Sequence, residues 1–139
     1  MADTFALKVV TPTGIVFEGE AEQVTAVGRL GEFGILAEHI NFITSLVPGL
    51  LEIRMAGGAR TYVISGGFAE VKEGAVTILA DSAEEPSAVD LLTLEAEMTE
   101  AERRISETSF YSDDYESAEH DMLLALAHKQ ASELKSTSH

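Results

Sequence analysis

The sequence predicts a mainly β chain that ends in α structure: a small sandwich or barrel, then an antiparallel pair of helices. Three observations carry this. All 11 glycines lie between Gly14 and Gly74, and none occurs in the 65 residues that follow. The glycine-bearing part is built of short runs separated by turn residues every eight to twelve positions. The glycine-free part repeats apolar residues at spacings of three and four. Glycine supplies the backbone angles of turns and bulges, whereas a glycine-free stretch rich in Ala, Leu, Glu and Met favours helix.

The strands follow in order. Residues 5–10, 15–18 and 23–27 are candidates, separated by Pro12-Thr13-Gly14 and Glu18-Gly19. Leu51, Ile53 and Met55 alternate with Glu52 and Arg54, which places the apolar trio on one face and the charges on the other. Gly57-Gly58 stands before Thr61-Tyr62-Val63-Ile64, so the two runs form the arms of a hairpin. Residues 68–72 and 76–80 complete the set, parted by Glu73-Gly74.

Two helices come next. Asp90 can cap the first, whose seam is Leu91, Leu94, Met98, Ala101 and Ile105. Glu100 precedes Arg104 by four residues in the favourable orientation. Residues 106–112 form a connector, and Asp113 with Glu116 reads as a cap and its reciprocal acid. The second seam is Tyr115, Ala118, Met122, Ala125 and Leu126, and the polar tail from residue 136 is expected to fray. Helices of about 17 residues are marginal alone in water, so the pair must pack on something.

Charge divides where the glycines stop. Residues 1–83 hold 5 basic and 10 acidic side chains, and residues 84–139 hold 4 and 14. Glu84-Glu85-Pro86-Ser87 has the character of a linker, which puts the domain boundary between 1–84 and 85–139. The formal net charge of -15 repels phosphate backbones and makes nucleic acid an improbable partner. With no cysteine, disulfides, thiolate metal sites and cysteine nucleophiles are excluded. No apolar run reaches the length of a membrane span, and Met1-Ala2-Asp3-Thr4 lacks the features of a secretory leader, so a soluble chain retained in its compartment of synthesis is expected.

Catalytic signatures are missing. There is no phosphate-binding loop, and Gly28-Arg29-Leu30-Gly31-Glu32-Phe33-Gly34 has the wrong spacing for a dinucleotide fingerprint. No serine has the Gly-x-Ser-x-Gly context. Glu116 and His120 share a helix face with Asp121 next to them, but no second His or Cys is near, and a solvated face explains them equally. Paired carboxylates abound, yet a glycosidase needs an aromatic-walled cleft, and this chain has no Trp. On residues alone, a free-standing β-sandwich ligand-binding or interaction module stays open beside any more specific reading.

One segment is more particular: Gly31-Glu32-Phe33-Gly34-Ile35-Leu36-Ala37-Glu38-His39, then Thr44-Ser45-Leu46-Val47-Pro48-Gly49. Behind it come Ile64-Ser65-Gly66-Gly67-Phe68-Ala69-Glu70-Val71 and Val76-Thr77-Ile78-Leu79-Ala80-Asp81. In combination and in order, from about residue 4 to about residue 135, these motifs resemble the epsilon subunit of F-type ATP synthases. The resemblance implies a ten-stranded sandwich followed by a two-helix hairpin. It also implies a non-catalytic rotor subunit that binds the gamma subunit and the ring of c subunits and helps couple proton flow to ATP synthesis. The hairpin would be regulatory, extending in some states toward the beta subunits to restrain ATP hydrolysis. The implied location is peripheral, on the cytoplasmic face of a bacterial plasma membrane, without a cofactor or a metal.

The resemblance places Glu32, Gly34 and His39 on a loop that meets the c ring. His39 reads equally as a ring bonded to a turn carbonyl, and Glu32 as a solvated acid. Where relatives commonly carry Pro-Gly before the histidine, this chain has Ala37-Glu38. Gly66-Gly67 reads as backbone geometry at a strand entry. Some bacterial relatives bind ATP through an Ile/Leu-Asp-x-x-Arg-Ala motif; here the run is Val89-Asp90-Leu91-Leu92-Thr93-Leu94, with Thr93 in the place of the arginine. Leu123 and Leu124 stand where basic residues would be expected, and Lys129 is the interior cation of that helix. Nucleotide binding is therefore not expected, and Asp90 reads as a cap. Arg103 and Arg104 match the family's contact with the beta subunit, or serve as cations complementing a helix dipole.

Overall fold

The computed structural model describes residues 3–38 and 40–137. Ten strands form first: β1 (Phe5–Thr11), β2 (Gly14–Ala21), β3 (Gln23–Gly28), β4 (Gly31–Leu36) and β5 (Phe42–Leu46). They continue with β6 (Gly49–Met55), β7 (Gly58–Ile64), β8 (Gly67–Lys72), β9 (Ala75–Ala80) and the two-residue β10 (Ala83–Glu84). A 3-10 turn (Pro86–Ala88) leads into α1 (Leu91–Glu107) and α2 (Tyr115–Thr137). The strands make two five-stranded sheets, ordered β2-β1-β9-β8-β5 and β10-β7-β6-β3-β4.

Period-two alternation places the core between the sheets. Leu7, Val9 and Ile78 from the first sheet meet Val24, Ile35, Leu51 and Ile53 from the second, all essentially without solvent contact. The expected alternation in β6 is present: Glu52 and Arg54 face outward while Leu51 and Ile53 are buried. β6 and β7 pair antiparallel with Met55 opposite Gly58, as the hairpin reading required. Gly67 has φ +141°, and a Cβ there would collide with the carbonyl oxygen of Leu79, so glycine at the entry to β8 is a backbone requirement.

Several expectations are corrected. Gly31–Leu36 is an edge strand paired with β3 and not a loop. Its alternation is hidden in sequence because the outward positions are Glu32, Gly34 and an exposed Leu36. β5 escapes a pattern reading because its outward Ile43 is exposed and apolar. Leu91 is exposed at the head of α1, so the seam starts at Leu94. α2 begins at Tyr115, with the Asp114 carbonyl accepting its first helical bond from Ala118, so Asp114 and not Asp113 holds the position before the helix. The helix also continues through Thr137, into the tail predicted to fray.

The helices lie on the outer face of the second sheet. Val63 of β7, Val89, Leu94 of α1, and Ala127 and Ala131 of α2 form a second apolar cluster, with Leu50, Met98 and Leu124 at its margin. α2 is therefore buried on two sides. Ala118 and Ala125 are enclosed as expected from the second seam, while Leu124, Ala127 and Ala131 form an unpredicted stripe against the sheet, and Leu126 is left exposed.

Candidate functional site

The outer face of the first sheet is open. Its strand registers bring together one row: Ser45 opposite Phe68, Phe68 opposite Leu79, Leu79 beside Val10, and Val10 opposite Ile15. Phe68 is 51% exposed, Leu79 50% and Ile15 57%. Four apolar side chains thus cross four adjacent strands on a surface that no helix or strand among the described residues covers, the kind of contiguous patch that marks a partner site on a small protein. The neighbouring row, Ile43, Glu70, Thr77, Lys8 and Glu18, is mostly polar and bounds it. No strand taken alone reveals this row, because it exists only through the register.

The segment expected at the c ring lies at the other sheet's edge. Glu32 and Gly34 sit on β4, opposite Val27 and Thr25. Glu32 shares a shallow surface cavity with Val27, Leu50 and Glu52 and with Gln130, Glu133 and Leu134 of α2. It therefore stands beside the docked helix and not at a loop tip. His39 lies outside the described residues. Glu38, in the place of the family's glycine, adopts φ +65°, the left-handed region that favours glycine.

Arg103 and Arg104 are both engaged within the hairpin. Arg103 donates to Glu100 at 2.6 and 3.1 Å and to Glu107 at 2.6 Å. The bonds from Arg103 hold the Glu100 carboxyl below the usual carboxylate range. Arg104 pairs with Asp121 and donates to Ser117, tying α1 to α2.

Where α1 starts, the Asp90 carboxylate accepts from the Leu92 N–H at 3.2 Å and from the Thr93 hydroxyl at 2.9 Å, the arrangement of a helix cap. It borders a cleft of about 150 Å³ lined by Glu84, Val89, Asp90, Thr93, Glu97 and His128. That volume is below the usual range for ligand pockets, and the wall holds three carboxylates. Among the described residues no cluster of three or more His, Asp or Glu is arranged to hold a metal ion. Glu116 and His120, which share a helix face, turn to different partners: the His120 Nε2 bonds the Ser65 carbonyl at 2.8 Å, and Glu116 lies 3.9 Å from Arg29.

His128 was not singled out from sequence. The residue is 9% exposed, with Nδ1 2.8 and 3.0 Å from the two oxygens of Glu97 and Nε2 2.9 Å from Glu84. Burial alone would pull its pKa down, but the hydrogen bonds and charges of Glu84 and Glu97 outweigh this and raise it. A signal was available: in the stripe Leu124, Ala127, His128 and Ala131, the histidine is the one polar member.

Comparison with known proteins follows the same lines. The model of the ATP synthase Delta/Epsilon chain beta-sandwich domain matches residues 4–86. The ATP synthase epsilon chain of Exiguobacterium sp. is 42% identical over 118 residues, covering 84% of this chain and 87% of that one. The epsilon chain of Desulforapulum autotrophicum is 46% identical over 110 residues, 78% and 82% of the two chains. Among solved structures, a chain of the Euglena gracilis mitochondrial ATP synthase superposes with a TM-score of 0.79 at 26% identity, covering 92% of this chain and 81% of that one. A chain from the central stalk and c-ring of the Tetrahymena thermophila enzyme shares the fold, with a TM-score of 0.69 at 14% identity over 94% and 97% of the two chains. With a β-sandwich that matches the family model over most of its length and relatives above 40% identity across most of the chain, the protein belongs to the ATP synthase epsilon-chain family.

Proposed function

We propose that this chain is a central-stalk subunit of a proton-translocating ATP synthase, binding the gamma subunit through its sandwich and meeting the c ring at the β3–β4 side. Family membership carries this reading. The apolar row of Phe68, Leu79, Val10 and Ile15 supports it, because it offers a partner a greasy, pre-formed sheet surface on the side opposite the helices. We assign gamma to this row, and the c ring to the Glu32, Gly34 and His39 segment. The chain performs no chemistry of its own in this reading; it transmits torque and restrains motion.

Residues 1–84 form the gripping unit and residues 85–139 the regulatory one. The hairpin rests on the sheet through a small cluster, so a docked and an extended arrangement can differ by only a few kcal/mol, roughly, and a partner can select between them. Extended, the hairpin would reach the beta subunits, where Arg103 and Arg104 could exchange their internal carboxylates for external ones. The complex would hold the chain at the cytoplasmic face of a bacterial plasma membrane; among the described residues no helix is long and apolar enough to cross one. Reconstitution tests the reading: a catalytic head, gamma and a c ring should incorporate one copy of this chain. Failure to enter that assembly under any condition would refute it.

A further inference from the structure

We propose that docking of the helical hairpin on the sandwich is controlled by protonation of His128, whose ring is clasped between Glu84 of β10 and Glu97 of α1. Carboxylates only accept hydrogen bonds, and a neutral imidazole carries a single N–H. Both ring nitrogens face carboxylate oxygens, Nδ1 toward Glu97 and Nε2 toward Glu84, so both bonds are made only by the imidazolium. The three residues come from the sandwich and from both helices, with His128 31 positions from Glu97 and 44 from Glu84. The Glu97 bond lies within the hairpin, and the Glu84 bond that completes the clasp exists only while the hairpin is docked.

Among the described residues, nothing else in the cleft can replace the lost charge. The 3-10 turn and β7 bring Ala88 and Val63 to this region, and neither carries a charge. α1 adds Asp90, already engaged with Leu92 and Thr93. On α2 itself, Lys129 is exposed and His120 bonds Ser65, and Arg104 of α1 is committed to Asp121 near the far end. A neutral His128 therefore leaves three carboxylates around one cleft with no cation among them, and one carboxylate loses its partner.

The sign follows from linkage. The pKa of His128 in the docked state is raised above its ordinary value of 6.5. The stabilisation is complete below that ordinary value and is lost as pH rises through the docked-state value above it. Acid holds the hairpin down, and alkaline conditions release it. That the released hairpin would then extend and restrain hydrolysis rests on the function proposed above; the docking equilibrium itself does not.

The test uses the full chain. It has no cysteine, so Glu70→Cys on the sandwich and Glu119→Cys on α2 allow two spin labels and a distance measurement between them. From about pH 5.5 to about pH 8.5 the docked distance should give way to a broader, undocked one, the docked-to-undocked ratio falling by about threefold or more. His128→Gln should abolish this response. Glu84→Gln with Glu97→Gln should keep the hairpin docked at high pH, because a neutral ring can donate to one amide and accept from the other. A distance distribution that is constant over this range, or a response that survives His128→Gln, overturns the proposal. Neither outcome depends on binding to gamma or the c ring, so a pH-responsive chain that joins no assembly would refute the proposed function and leave the latch intact.

Discussion

Thr93 donates its hydroxyl to the Asp90 carboxylate at 2.9 Å, so the two residues at the Asp and Arg positions of the ATP motif of some bacterial relatives are bonded to each other. A carboxylate committed to a helix cap, beside Glu84 and Glu97 and without an arginine, repels a triphosphate, which is normally met by Arg, Lys or a helix terminus. Calorimetric titration of the full chain with MgATP should show no saturable heat up to about millimolar nucleotide, and low-micromolar affinity would contradict this. Asp90→Ala should instead loosen the start of α1, lowering stability by about 1 kcal/mol in chemical denaturation.

Glu38 at φ +65° predicts a stabilising substitution. A left-handed backbone costs a residue with a Cβ about 1–2 kcal/mol, and the greater freedom of glycine in the unfolded chain returns part of this. Glu38→Gly should therefore raise stability by about 0.5–1 kcal/mol, read as a higher midpoint of thermal unfolding. A fall in the midpoint would mean that the Glu38 side chain makes a compensating contact.

Ending the chain at Ser87 removes the cover from Val63 and Leu50, which should lower the stability of the sandwich by roughly 2 kcal/mol. In an assembled catalytic head the same truncation should raise ATP hydrolysis by only a few fold, a barrier change of roughly 1 kcal/mol, because Arg103 and Arg104 are satisfied within the hairpin. No rise at all would show that the hairpin is not a brake in this enzyme.

The parts of the fold that were legible in sequence are those where a local pattern and burial coincide. Leu51, Ile53 and Met55 alternate with charges and form a strand; Leu94, Met98 and Ala101 lie on a helix seam; Asp90 caps. β4 was not legible as a strand, because its glycines and its outward Glu32 and Leu36 break the alternation that an edge strand does not need. His128 and the row from Phe68 to Ile15 were hidden for a different reason. Their meaning arises from partners distant in sequence, joined by docking in one case and by strand register in the other.

The assignment of gamma to the open sheet face has one direct measurement: the affinity of the full chain for purified gamma subunit, with and without Leu79→Asp. Leu79 is half exposed, so the substitution should leave the unfolding midpoint nearly unchanged. The account predicts binding by the natural chain and a loss of about tenfold or more in the variant, equivalent to about 1.4 kcal/mol. Equal affinities for the two chains, or no binding by the natural one, would contradict it.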